Sequence, residues 1–101
     1  MTTKGHTMEN GTYLNVNGTF VLAHPKTGYW VGIHETTLDD TLDGQYVGVW
    51  TNPVSGVTYY DRSIWVADQY DAMTLGTLNG QLAIWDIENE TEVWLTANAP
   101  E

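Results

Sequence analysis

The chain has no cysteine, which removes disulfides, thiolate metal sites and a cysteine nucleophile together. It is almost as poor in positive charge. Lys4, Lys26 and Arg62 are its only cations against 13 carboxylates, so the formal charge is −10 over 101 residues. With so few cations, salt bridges cannot neutralise most of its acids. The resulting field repels nucleic acid and anionic membranes and attracts cationic partners, over a screening length of about 8–10 Å at ordinary ionic strength. No apolar run approaches the roughly 20 residues that span a bilayer. The N-terminal MTTKGHTMENG has no apolar core of a signal peptide, so the expected location is the cytoplasm. Serine occurs only at Ser55 and Ser63, neither in a nucleophile-elbow pattern. Gly28 and Gly32 do not form a dinucleotide loop, and no Lys follows a glycine run to cradle phosphate.

What the chain has instead is aromatic mass. Five Trp and six Tyr within a 42% hydrophobic composition are enough for one folded domain, and they separate this acidic chain from disordered ones. Residues 1–11 read as a polar tail and residues 12–101 as a single domain. Short runs of Val, Thr, Tyr and Trp alternate with turn residues. Thr12–Val16 and Thr19–Ala23 flank Asn17-Gly18, the dipeptide of a two-residue hairpin turn. Tyr29–His34 alternates Tyr29, Val31 and Ile33 against Trp30 and Gly32. The acidic stretch Glu35–Gly44 fits either a helical turn on Leu38 and Leu42 or a loop, the loop being the better fit. Gln45–Thr51 and Val57–Val66 read as a second hairpin around Asn52-Pro53-Val54-Ser55-Gly56. One helix is expected over about 68–78. Asp68 is its N-cap, Asp71 lies in the first turn, Ala72, Leu75 and Leu78 form its apolar face, and Asn79-Gly80 is its stop. Gly76 inside it implies close packing on a sheet. Gln81–Ile87 and Thr91–Thr96 complete a third hairpin around Glu88-Asn89-Glu90. The expected fold is α+β, with six to seven short, mostly antiparallel strands and one helix packed on them. If the strands flanking the helix are neighbours, they run parallel through a right-handed crossover.

The segment Val47 to Asp86 carries a further pattern. A Trp50 strand and a Pro/Gly turn lead to Tyr59-Tyr60-Asp61-Arg62-Ser63. The Asp68-led helix and Asn79-Gly80-Gln81-Leu82-Ala83-Ile84-Trp85-Asp86 follow. It resembles small uncharacterised proteins of actinobacterial phages and prophages. The resemblance implies a phage-type origin and brings no catalytic residues with it.

Two features are candidates for function. The carboxylates gather at Asp39, Asp40 and Asp43, at Asp68 and Asp71, and at Asp86, Glu88, Glu90 and Glu92. A glycosidase-like pair would need two carboxyls about 5–10 Å apart across a cleft, and no motif sets such a pair here. DDTLDG misses the spacing of a calcium loop, and His6, His24 and His34 have no metal-ligand spacing, so no cofactor is expected. On a strand, Glu88, Glu90 and Glu92 would form one like-charged ridge, which is poor for stability unless a cation meets it; the alternative is a solvated hairpin tip. Alternation also sets Trp50, Trp65 and Trp85 opposite the core-facing residues of their strands. Those three line either a covered second face or an exposed aromatic patch rimmed by acids. Nucleic acid is not the expected ligand, since three cations are too few to hold its backbone.

These features point to a small non-enzymatic, protein-binding module. The expected partner is a basic host protein such as a nucleic-acid-binding effector. In that reading the chain is a phage-encoded, anti-CRISPR-like inhibitor that mimics nucleic-acid charge and occludes a basic groove. Asp39, Asp40, Asp43, Glu88, Glu90 and Glu92 carry the contact, with Trp94 as anchor. The rival reading is a carbohydrate-binding or virion-surface module using exposed Trp and Tyr.

Overall fold

A computed structural model describes residues 8–95. Its elements in chain order are β1 (Gly11–Val16), β2 (Thr19–Leu22), β3 (Tyr29–Glu35), β4 (Tyr46–Thr51), β5 (Thr58–Val66), α1 (Gln69–Leu78), β6 (Ala83–Asp86) and β7 (Thr91–Trp94). The seven strands form one sheet in the order β2-β1-β4-β5-β3-β6-β7, and every neighbouring pair is antiparallel. The fold is α+β, and all three expected hairpins are present.

Local chemistry accounts for the punctuation. Asn17 and Gly18 adopt φ of 52° and 92°, the two positive values that a tight hairpin between β1 and β2 requires. The β4–β5 connection closes on Asn52, whose side-chain oxygen accepts the Val54 N–H at 2.8 Å. At the helix start the Asp68 carboxylate accepts the Asp71 N–H at 2.9 Å, an N-cap bond that satisfies one of the four orphan donors of the first turn.

The strands on either side of α1 are not neighbours, so the condition for a parallel pair is not met. β5 and β6 do run the same way, but β3 lies between them and pairs antiparallel with both, so the helix crosses over β3. The apolar face of α1 is also narrower than the 72/75/78 spacing suggested. Ala72 and Gly76, one turn apart, are buried and Leu75 partly so, whereas Leu78 is 79% exposed. Six residues carry Leu78 about 240° around the helix from Ala72, and it groups with Tyr70, Thr74 and Thr77 on the outer side. Finally, the N-terminal boundary falls earlier than residue 12. Gly11 already pairs with Val49, the Asn10 side chain accepts the Thr51 N–H at 2.9 Å, and Met8 packs on the core. Residues 1–7 lie outside the described residues.

The core is confined to one face of the sheet. Over β3 and β6, α1 closes a cluster of Val31, Ala72, Ile84 and Leu95. Over β1 and β4, the β3–β4 loop closes a second cluster of Tyr13, Val47 and Val49, contributing Leu38. The loop reading of Glu35–Gly44 therefore holds, and the loop is tied down. Asn15 donates its side-chain amide to the Thr41 carbonyl at 2.7 Å and accepts the Gly18 N–H at 2.7 Å. Among the described residues no helix is long and apolar enough to cross a membrane.

Candidate functional site: a tryptophan face rimmed by acids

Strand alternation sends each inward residue's neighbour to the opposite face, and the observed registers fix which neighbours meet. Trp30 on β3 stands directly across from Trp65 on β5 and from Trp85 on β6, and Trp85 is in turn opposite Glu92 on β7. Three indoles therefore lie abreast on adjacent strands, with a carboxylate at the end of the row. Trp50 is opposite Tyr59, and their rings stack with centroids 5.7 Å apart and planes 26° apart. Trp94, across from Ala83, shares the face. Trp30 meets Tyr46 edge-on at 5.0 Å. All five Trp are thus on the face away from α1 and the β3–β4 loop. Their exposure runs from 40% at Trp65 to 53% at Trp94, with Trp30 the more enclosed.

Trp30, Trp50 and Trp85 flank an open trough of about 830 Å³. Its floor is low because small residues come together there. Gly48 lies opposite Asp61, Gly32 lies opposite Ser63, and Ala83 adds a third small position. A Cβ at Gly48 would come within 3.1 Å of the Ser63 hydroxyl. Trp65 is held in place, since its Nε1–H donates to the Thr27 carbonyl at 2.9 Å and its indole lies against Gly28. Gly28 has φ 93°, and a Cβ there would reach 2.5 Å from that nitrogen. This contact fixes the β2–β3 connection against the face.

The trough's charge is one-sided. Asp61, Glu90 and Glu92 line it, and among the described residues that line it none is Lys or Arg. Arg62 is absent because alternation turns it to the other face, across from Val47. The Asp61 carboxyl is raised above its ordinary 3.8, first by partial desolvation and then by the Glu35 charge, with His34 working the other way.

The predicted acidic residues do not form one site. Glu90 and Glu92 reach the trough, and Trp94 shares its face. Glu88 and Glu90 sit in the β6–β7 turn, Glu90 with φ 52°, so the like-charged ridge on a strand is not formed; Glu92 alone is on β7. Glu88 faces elsewhere. With Asp86 and Asp68 it raises the Tyr29 hydroxyl above its ordinary 10.0, after partial desolvation as the leading cause. Asp39, Asp40 and Asp43 are exposed on the β3–β4 loop, which covers the opposite face. Asp43 has a structural task, accepting the Asn17 N–H of the β1–β2 turn at 2.7 Å. Asp86 is buried rather than solvated and accepts both the backbone N–H and the side-chain amide of Asn89, at 3.2 Å and 2.8 Å.

Alternation alone marked Trp50, Trp65 and Trp85. Trp30 was missed as their partner, although its place opposite the core-facing Val31 was a usable signal. Among the described residues no group of three His, Asp or Glu is arranged to hold a metal ion. The chain matches no known protein family, curated protein or solved structure.

Proposed function

We propose that the protein is a small acidic binding module that docks on a basic protein surface through its tryptophan face. The finer reading is a phage-encoded inhibitor acting in the cytoplasm of a bacterial host. There it would occupy the basic groove of a nucleic-acid-binding effector of host defence and exclude nucleic acid by competition. The observation that carries the proposal is the gathering of all five Trp on the sheet face opposite the helix, beside three carboxylates and, among the described residues that line the trough, no Lys or Arg. Exposed Trp and Tyr supply short-range contact that slows release, while the net negative field speeds encounter.

The test compares capture of host proteins by the intact chain and by two charge-reversed variants. Reversal of Glu88, Glu90 and Glu92 to Lys is expected to release a captured nucleic-acid-binding protein, as is salt of about 0.5 M, where the screening length is only a few ångströms. Reversal of Asp39 and Asp40, behind the sheet, reports whether the contact wraps around the domain. Capture indifferent to all these reversals and to salt would sink the proposal.

A second reading is favoured by the stacked Trp50–Tyr59 pair close to Asp61 and Ser63, an arrangement that suits a sugar ring. Glycan binding that depends on Trp50 and ignores salt would support it against the first.

A further inference from the structure

The trough presents two things to a ligand: flat ring faces, and carboxylates with no Lys or Arg among the described residues that line it. The stacked Trp50–Tyr59 pair leaves Trp50 half exposed, and the Trp65–Trp30–Trp85 row crosses three strands, each roughly 4.8 Å from the next. Between these groups the glycine floor leaves room for side chains to enter from above. Asp61, Glu90 and Glu92 stand at the floor and rim. A ligand that satisfies both must be planar where it meets the rings and positive where it meets the acids.

We propose that the trough takes an arginine-rich segment of the partner protein, its guanidinium planes lying on the Trp30, Trp50 and Trp85 rings and its N–H groups donating to Asp61, Glu90 and Glu92. The inference rests on the reading of this face as a docking surface for a basic protein and narrows what that partner presents. Guanidinium is favoured over ammonium for three reasons. It is planar, it is more weakly hydrated, and it stacks on aromatic faces while keeping its hydrogen-bond donors free at the edge. The Asp61 carboxylate, which lies near the Glu35 charge, is stabilised by a cation brought within a few ångströms. Other occupants meet the same charge and fare worse. Nucleic acid is repelled, and a second copy would bring its own acidic rim against this one with a further charge of −10.

The probes are nona-arginine and nona-lysine peptides, titrated into the intact protein by calorimetry and tryptophan fluorescence at about 0.15 M salt. Nona-arginine is expected to bind at least about fivefold more tightly, since several stacked guanidinium groups add to a charge term common to both peptides. Trp50→Ala should weaken nona-arginine by about three- to tenfold and lysine less, Trp50→Phe should keep most of the affinity, and Tyr70→Ala on the outer face of α1 should change nothing. Circular dichroism of each variant separates a binding loss from unfolding. Equal affinity for the two peptides, unmoved by Trp50→Ala, would overturn the arginine inference and leave docking by charge standing. Failure of both peptides to bind the folded protein would overturn the docking reading as well.

Discussion

Asp61 sits where two requirements meet. Its place on β5 sets it across from Gly48 on the trough floor, and partial desolvation there disfavours the charged form. The neighbouring Glu35 charge pushes the same way, so the folded state holds the Asp61 proton more tightly than the unfolded chain does. The consequence for stability has a definite sign. Between the ordinary value of 3.8 and the raised one, the native state binds more protons, so this group's contribution is full below 3.8 and is lost as pH rises through the raised value. Asp61→Asn should therefore raise stability at pH 7, and the gain should vanish near pH 3, where aspartate and asparagine are both neutral. Urea denaturation at the two pH values checks it; an equal gain at both would show that charge is not the cause. Asp43, Asp68 and Asp86 have structural tasks instead, each accepting a backbone N–H at a turn or helix start.

At the scale of elements, α1 illustrates how closely the sheet and its cover approach. A Cβ at Gly76 would lie 2.8 Å from Leu95 Cδ1 and 2.9 Å from Ile84 Cγ2, both in the buried cluster. Gly76→Ala sets two effects against each other. Helix propensity favours alanine by about 1 kcal/mol, while overpacking a filled core costs about 1–3 kcal/mol. Packing should win, with a net loss of about 1 kcal/mol and a melting temperature lower by roughly 4–8 °C. A rise instead would mean that Leu95 and Ile84 yield freely. This packing was readable from one glycine inside a helical stretch, as the hairpins were from Asn17-Gly18 and Asn52 to Gly56, because these signals are local. Strand order was not readable. Pairing of β1 with β4 and of β3 with β6 joins segments far apart in the chain, and many registers satisfy the same alternation. Leu78 misled for a different reason. Steps of three residues drift about 60° each around a helix, and two such steps carry Leu78 away from the buried Ala72 and Gly76.

The whole molecule divides its properties between two faces. One carries the helix, the β3–β4 loop and the apolar core; the other carries indoles and acids. Half of that second face was legible from alternation in Trp50, Trp65 and Trp85. The convergence with Trp30 and Glu92 needed the registers, and the separation of Asp39 and Asp40 from Glu90 and Glu92 needed the sheet order. The charge itself was plain from composition, and it acts on the fold as well as on partners. Thirteen carboxylates and three cations share a molecule whose longest extent is 46 Å. At about 0.01 M ionic strength the screening length is about 30 Å, so the acids repel one another across most of the domain, while at about 0.15 M it is about 8 Å and only near neighbours interact. Unfolding moves the acids apart, and low salt therefore favours the unfolded chain. Sodium chloride raised from about 0.01 to about 0.2 M should add about 1 kcal/mol of stability, or roughly 4–8 °C in melting temperature. The gain should level off above that concentration, since the screening length is by then shorter than most acid–acid separations. A melting temperature that climbs in proportion to salt up to molar concentrations would point to salt exclusion from the surface instead. One that does not move at all would mean that the acids are spaced too widely to burden the fold.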